Sequence, residues 1–198
     1  MDISRNSRNY RNRFEREVNR MRREADRTSE GSLGSLVKIR FDLDASDWHG
    51  HGSETLWAER LCADGREVFL IRNSPFFVRG INHLDLVEAT AGDQRGIHTF
   101  GSVVERGGHS TYMVLFEPDD RRVSSQWMML EDAGCSFESM ALSLSIGQRI
   151  LYSVDVPARA NLTDVYAALA QGEAMGLWMF QEGHAHVSSQ GRGPLQQN

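Results

Sequence analysis

The chain has 198 residues, of which 40% are hydrophobic, 9% aromatic and 25% charged. A chain of this length can bury a stable core without disulfides or a structural metal, and this composition excludes collagen-like, wholly disordered and disulfide-scaffold proteins. The sequence holds no apolar run of 18 residues, so we expect a cytoplasmic protein without a membrane-spanning helix. The net charge is −5, but residues 1–30 contain nine arginines against six acidic residues, so the remaining residues carry a net −8.

The arginine-rich N-terminal region has the pattern of an amphipathic helix. Its apolar residues recur at helical spacing, which predicts a helix over residues 7–27. A Gly/Ser-rich stretch at 28–36 follows and has the composition of a flexible linker. We expect this helix to dock on its own domain, to pair with a second copy of the chain as a homo-oligomer, or to bind a partner protein. Nucleic-acid binding is a further alternative, which the interleaved acidic residues argue against.

An alternating pattern begins at Val37 and predicts β-structure up to residue 106. Val37, Ile39 and Phe41 fall on one face of a strand, while charged residues occupy the other face. The dipeptide Asp64-Gly65 favours a tight hairpin turn between two further strands. We therefore predict a small antiparallel sheet or barrel. Its predicted strands are 37–43, 54–61, 67–72, 76–79, 85–90 and 97–105.

The second half of the chain has the predicted element order β-α-β-β-α-β. Asp119 or Asp120 is placed to cap the first helix, and Asn161 the second. This order is typical of the ferredoxin-like plan, so we predict an α+β fold in which a β unit precedes a ferredoxin-like half. The predicted division is 1–36 for the helix and linker, 37–187 for one compact domain (β unit 37–106, ferredoxin-like half 107–187), and 188–198 for a disordered tail.

Four phrases of the sequence carry a resemblance to a known family. They are ETLWAERL at 54–61, SPFFVRGINHLDLV at 74–87, SVVERGGHSTYMVLF at 102–116, and VDVP with NLTDVYAALAQGEAMGLWMFQEG between 154 and 183. In this order they resemble an uncharacterised bacterial family, domain of unknown function 4265, over roughly Val37 to Gly183. The resemblance implies a shared fold and transfers no activity. The arginine-rich helix lies outside it.

The segment 105–111 is the first candidate site. Gly107 and Gly108 permit a tight turn or a close backbone approach, and they place His109 and two hydroxyl groups beside a glutamate and an arginine. Such a cluster can bind an anion, or His109 can act as a general base toward Ser110 or a substrate hydroxyl. The plainer interpretation is a polar connection whose hydroxyls satisfy turn amides. The candidate residues are Glu105, Arg106, His109, Ser110 and Thr111.

Two His-x-His pairs could supply imidazoles to a metal ion. Positions i and i+2 of an extended segment face the same side, so either pair offers two ligands to Zn²⁺. A complete site would need His49 and His51 to meet His184 and His186, and exposed histidines in flexible segments are the plainer interpretation. The sequence contains no Walker loop, GxGxxG, HExxH or zinc-finger spacing, so we expect no cofactor.

Aromatic residues mark another candidate surface. Phe76 and Phe77 would point to opposite faces of an extended strand, so one ring is expected in the core and the other on a contact surface. Phe77 is the candidate for the contact with a ligand or partner. Arg79 could then bind a carboxylate or phosphate. Trp48 is the tryptophan expected to be exposed, whereas Trp57, Trp127 and Trp178 are expected in the core.

The absence of a catalytic motif favours a non-catalytic binding or accessory protein. We expect it to bind a protein, a peptide or a small anionic ligand through the 105–111 segment and the surface of Phe77 and Arg79. The alternative is a small cofactor-independent enzyme in which His109 is the general base, with Glu105 or Ser110 beside it. A concave pocket in which His109 meets a carboxylate favours the enzyme, and a flat exposed aromatic patch favours the binding protein.

Overall fold

A computed structural model describes residues 36–63, 65–118 and 120–186 of the chain. Over these residues the predicted α+β class is confirmed. The predicted N-terminal helix, its linker and the predicted tail lie outside the described residues. The elements are β1 Leu36–Asp42, β2 Ser53–Ala63, β3 Arg66–Ile71, β4 Leu86–Ala91, β5 Ile97–Glu105, β6 Ser110–Phe116, α1 Arg121–Asp132, β7 Ser136–Leu144, β8 Gly147–Val156, α2 Leu162–Ala174 and β9 Trp178–His184.

The first five strands close into a barrel in the order β1-β2-β3-β4-β5. Neighbouring strands are antiparallel except for β1 and β5, which run parallel where the barrel closes. Successive side chains of a strand point to opposite faces, so the alternation in β1 determines which side chains enter the barrel. Val37, Ile39 and Phe41 are buried there, while their neighbours in the strand are not. At the predicted hairpin, Ala63 pairs with Arg66, and Gly65 adopts a φ of +75° that suits glycine.

The other four strands form an antiparallel sheet in the order β7-β8-β6-β9. Helices α1 and α2 pack on one face of this sheet, and their N-termini are capped by Asp120 and Asn161 as the sequence predicts. No helix among the described residues is long and apolar enough to cross a membrane. The core between helices and sheet includes Tyr112, Val114, Trp127, Leu130, Val154, Leu169 and Trp178.

The segment between β3 and β4 departs from the prediction, because residues 76–79 do not form a strand. The backbone N–H groups of Phe76, Phe77 and Val78 donate to the Glu54 carboxylate at 2.7, 3.0 and 2.9 Å. A carboxylate that accepts three consecutive amide hydrogens replaces the partner strand that these groups would otherwise require. The apolar run FFV therefore belongs to an irregular loop.

This loop covers the face of the sheet opposite the helices. Ser153 on β8 donates to the Pro75 carbonyl at 2.6 Å, and Gly80 N–H donates to the Gly183 carbonyl at 3.0 Å. The Phe77 ring is buried in a second core with Met113, Leu142 and Leu151. The loop thereby joins the barrel to the sheet.

Two of the three tryptophans expected in the core are buried there, Trp127 and Trp178. The prediction for Trp57 is wrong, since 47% of this residue is exposed. Its neighbours Leu56 and Ala58 point into the barrel, so the alternation of β2 places Trp57 outside, where Lys38 Nζ lies 4.8 Å from the ring centroid.

Replacing Glu54 by alanine should lower the free energy of unfolding by at least about 2 kcal/mol, because three amide donors lose a charged acceptor. Glu54→Gln should lose less, since one side-chain oxygen remains. Urea denaturation measures both effects. Glu88→Ala is the control, because Glu88 is an exposed strand residue whose carboxylate has one long contact, with Ser102 at 3.5 Å. Equal effects at the two positions would contradict this role of Glu54.

Candidate functional site

The candidate segment 105–111 links the end of the barrel to the first strand of the sheet. Its two glycines are required by position. A Cβ atom at Gly107 would lie 2.5 Å from the carbonyl carbon and oxygen of Leu84, and Gly108 adopts a φ of +85°. The turn therefore lies directly against the loop residues that precede β4, which is the close backbone approach that the glycines predict.

Asp85 fastens this turn to the loop. The carboxylate is fully buried and accepts from Arg106 Nη1 at 2.7 Å, from Gly107 N–H at 2.8 Å and from Asn82 N–H at 3.0 Å. Arg106 also donates to the carbonyl of Gly80. Arg106 is thus part of an internal connection and is not directed at solvent as a free anion-binding group.

Two histidines meet one carboxylate beside this connection. His109 Nδ1 lies 2.8 Å from Asp155 Oδ1 and 3.0 Å from Oδ2, and His83 Nδ1 lies 3.5 Å from Asp155 Oδ2. The two imidazole rings are 5.2 Å apart and nearly perpendicular. The exposed fractions of the side chains are 27% for His83, 14% for His109 and 12% for Asp155, so the cluster is partly open to solvent.

Asp155 is ionised in this environment. Burial disfavours its charged form, but hydrogen bonds and positive charge from His109 and His83 outweigh that effect and hold the pKa of the carboxyl below its usual value. The acidic partner of His109 is therefore Asp155 and not Glu105, which lies half-buried at the end of β5 opposite Leu86.

Ser110 and Thr111 point to opposite faces of the sheet. Thr111 is fully buried, donates to Asn82 Oδ1 at 2.8 Å and pairs in register with Asp155. Ser110 accepts from His186 N–H at 2.8 Å on the other face. Ser110 thus satisfies the backbone amide of His186, which follows β9, and not an amide of the turn itself.

A cleft of about 580 Å³ opens next to the turn on the helix-bearing face of the sheet. The first turn of α2 forms one wall and the end of β9 another. Burial, with Glu182 and Tyr166 nearby, raises the pKa of Tyr112 to about 12, so its hydroxyl is neutral in the physiological range. The polar lining residues include Ser110, Thr163, Tyr166, Glu182 and His186, and the apolar ones Val156, Pro157 and Leu162.

Phe77 and Arg79 do not form the surface expected of them. Phe77 is only 9% exposed, so its ring is a core element and not a contact for a partner. Arg79 is more than half exposed, but it pairs with Asp47 at 3.3 Å, and the Gln181 amide oxygen, correctly oriented, accepts from Arg79 Nε at 2.8 Å.

Trp48 is exposed as predicted, at 41%. It borders a second, more apolar cavity of about 350 Å³ on the face of the sheet opposite the helices. Its indole ring contacts Phe77 and His49 edge-on. The other apolar residues of this cavity include Leu144, Ile146 and Met179.

The two His-x-His pairs do not come together. Among the described residues, the grouping of three or more histidine, cysteine or acidic side chains with metal-ligand spacing is His83, His109 and Asp155, and neither pair contributes to it. The rings of His49 and His51 stack on each other, and both lie tilted against the ring of Phe77.

His49 should make stability depend on pH. Only 4% of its side chain is exposed and its Nδ1 accepts from His51 N–H at 3.0 Å, so burial, with a further contribution from the charge of His51, lowers the pKa of His49 although Asp47 opposes this. The unfolded chain therefore binds the proton first, and the free energy of unfolding should fall as the pH drops below about 6.5.

Urea denaturation at pH 7.5 and pH 5.5 measures this effect. His49→Gln, which has no imidazole to protonate, should lose less stability between these two pH values than the original chain. An identical loss in both proteins would contradict the assignment.

The sequence points less clearly to the remaining site residues. His83 and Asp85 lie in the segment INHLD after Gly80, where three of the five residues are polar, and polar residues next to a glycine are a usable signal for a functional loop. Asp155 is an acidic residue within an otherwise apolar alternation, and such a residue is ordinarily assigned to solvent. Asp155 is buried only because the loop between β3 and β4 covers the face of the sheet on which it lies.

The fold defines an α+β protein in which a five-stranded barrel is joined to a four-stranded antiparallel sheet that carries two helices. Residues 54–180 match the family described as Domain of unknown function (DUF4265), and the chain belongs to this family. The resemblance inferred from the sequence is thus confirmed.

A solved structure described as "Novel crystal structure of a hypothetical protein from Neisseria gonorrhoeae" is similar to this chain. The similarity covers 80% of this chain and 100% of that one, with a TM-score of 0.55 and 17% identity, and it shows a shared fold alone. A search of curated proteins finds no significant match.

Proposed function

We propose that the protein is a non-catalytic binding or accessory protein that takes up a small polar organic ligand in the cleft beside the 105–111 turn. The observation that carries this proposal is the cleft itself, which Gly108 and Ser110 of the candidate segment help to line. Its volume of about 580 Å³ falls within the range of small-molecule sites.

The lining of the cleft supports this choice of ligand. Apolar surface from Val156, Pro157 and Leu162 is combined with a few hydrogen-bonding groups, and this combination is typical of sites for small organic molecules. The hydrogen bond from His186 N–H to the Ser110 hydroxyl oxygen holds one wall in place. The Asp85 connection fixes the turn behind them, so the site is preorganised.

A pair of tryptophan substitutions tests the proposal. Ala158 is an exposed residue of the cleft wall, and Ala158→Trp should fill the space, whereas Ala174→Trp places the same side chain at the exposed end of α2. The probes are free amino acids, dipeptides and short-chain carboxylates, and binding is detected by saturation-transfer NMR on the full chain. At least one probe should bind the original chain and Ala174→Trp, with affinity at least tenfold lower for Ala158→Trp.

Two outcomes would count against this function. The first is that no probe binds the original chain. The second is that a probe binds Ala158→Trp as well as Ala174→Trp, which would place its site elsewhere.

A cofactor-independent hydrolase is the second candidate, and the contact between His109 and Asp155 favours it. A carboxylate on Nδ1 orients an imidazole so that Nε2 can accept a proton from a water molecule that attacks a substrate carbonyl. Hydrolysis of p-nitrophenyl acetate should then be lost in His109→Gln and retained in His51→Gln. Equal rates for both variants would remove this candidate.

We infer that the sheet and its two helices follow the ferredoxin-like plan within one compact domain over 37–187. The strand order β7-β8-β6-β9, with helices after the first and third strands of the half, supports this inference. The predicted N-terminal helix remains the proposed site of self-association or of a protein partner, because its apolar residues recur at helical spacing.

A further inference from the structure

We propose that His83, His109 and Asp155 form a binding site for a single divalent transition-metal ion, with zinc as the reference metal. The ligand atoms are Nδ1 of each imidazole and one carboxylate oxygen. This site is separate from the cleft and from the His-x-His pairs, and it does not depend on the cleft ligand.

The spacing of the ligand atoms suits a metal of this size. All three atoms lie within 4.8 Å of one another, with His109 at 2.8 Å and His83 at 3.5 Å from Asp155 oxygens. Zinc bonds of about 2.0–2.2 Å in tetrahedral geometry place ligand atoms about 3.3 Å apart. Two of the separations, 2.8 and 3.5 Å, lie close to this spacing, and the third does not exceed 4.8 Å.

The donor set selects the class of metal. Two imidazoles and one carboxylate suit zinc and neighbouring first-row ions such as cobalt, and they suit calcium and magnesium poorly. Three protein ligands leave a fourth position for water or a ligand atom, and the partial exposure of the His83 side chain, at 27%, gives access to that position.

The supports behind the ligands make the site rigid. Asp85 accepts from the backbone N–H groups of Asn82 and Gly107, so it ties the segment that carries His83 to the turn that carries His109. Thr111 donates to Asn82 Oδ1 and pairs in register with Asp155, which fixes the third ligand relative to the first. Such surrounding hydrogen bonds orient metal ligands and raise affinity.

A buried donor next to the cluster agrees with this assignment. Asn82 is fully buried, and its Nδ2 atom has no hydrogen-bond partner. An unpaired buried donor of this kind is costly, so its presence next to three potential ligands is typical of a functional site.

The competing explanation is a hydrogen-bonded triad in which each imidazole keeps a proton on Nδ1 and donates it to Asp155. A bound metal instead occupies Nδ1 of both imidazoles, and each neutral ring then carries its proton on Nε2. The two explanations therefore differ in whether the cluster takes up a metal, which can be measured directly.

The test uses the full chain, purified without a tag, stripped with a chelator and titrated with Zn²⁺ by isothermal calorimetry. One ion should bind per chain. His83→Ala and His109→Ala should each weaken the affinity about 100-fold or more, while His51→Ala and Ala174→Trp should bind like the original chain. Co²⁺ in place of Zn²⁺ should give the visible absorption of a site with nitrogen and oxygen ligands.

Failure of the stripped chain to bind Zn²⁺, or equal affinity in all the variants, would overturn the proposal. If an alanine variant does not fold, the original chain still decides the question by NMR. Zinc must then shift the ring nitrogen resonances of His83 and His109 while leaving His51 unchanged, and a shift confined to His51 or His186 would equally reject the site. If Zn²⁺ binds while no organic probe binds in the cleft, the metal site stands and the proposed function fails.

Discussion

Replacement of Asp85 by alanine should lower the free energy of unfolding by about 3–5 kcal/mol, the range typical of a buried ion pair that loses one partner. The carboxylate is fully buried and holds Arg106 at 2.7 Å together with two backbone N–H groups. Its removal leaves a half-buried guanidinium and two amide donors without their acceptor.

Backbone strain adds to this effect. Leu84, the preceding residue, adopts a φ of +62°, a left-handed conformation that costs roughly 1–2 kcal/mol for a residue with a side chain. The contacts of Asp85 on one side and of the Leu84 N–H with the Ile71 carbonyl at 2.9 Å on the other hold this conformation in place. Without Asp85 we expect the loop to relax.

The comparison for Asp85 is an ion pair at the surface. Asp42 pairs with Arg40 at 3.2 Å, and the exposed fractions of the two side chains are 73% and 54%. Asp42→Ala should therefore change stability by less than about 1 kcal/mol. Chemical denaturation of both variants gives the contrast, and a loss at Asp85 as small as the loss at Asp42 would show that the buried connection does not stabilise the fold.

Replacement of Gly172 by alanine should destabilise the protein by about 3 kcal/mol or more, although alanine ordinarily favours a helix by about 1 kcal/mol over glycine. Gly172 lies inside α2, and a Cβ atom there would lie 2.0 Å from the Trp178 ring. Trp178 is 4% exposed and donates to the Leu169 carbonyl at 2.9 Å, so it has no free space into which to move.

Thermal denaturation, with the tryptophan fluorescence spectrum as a second readout, measures the Gly172→Ala effect. Ala167→Ser is the control, since Ala167 lies on the exposed face of the same helix and a serine there should cost little. If Gly172→Ala were as stable as the original chain, the close packing of Trp178 on this helix would be refuted.

Much of the fold follows from local patterns that need no knowledge of distant contacts. The period-two alternation of β1 determines the barrel-facing residues, and the capping residues Asp120 and Asn161 mark where both described helices begin. These features can be predicted because each depends on interactions within a few residues of the chain.

Of the two misassigned features, one depends on a long-range contact and the other on the local alternation of a strand. The run Phe76 to Val78 has strand-like composition, but Glu54, more than twenty residues earlier, accepts its amide hydrogens. Trp57 is apolar and yet faces outward, because the pleat of β2 is set by its neighbours. Hydrophobicity alone indicates neither fact.

One local feature of the candidate segment agrees with the sequence pattern. The glycines at 107 and 108 predicted a close approach, and the structure places Leu84 against Gly107. The partners of His109 could not be predicted, since His83 lies in a different loop and Asp155 on a strand of the sheet. Three segments meet there only after the barrel and the sheet have docked.

The loop before β4 has a consequence for how the protein unfolds. Along the chain it belongs to the barrel, but its Pro75 carbonyl, Phe77 ring and Gly80 N–H are satisfied by the sheet. Neither half can expose its core without removing contacts from the other. Barrel and sheet should therefore melt in a single cooperative transition, and a chain divided between Glu105 and Ser110 should yield two fragments that gain structure only when mixed.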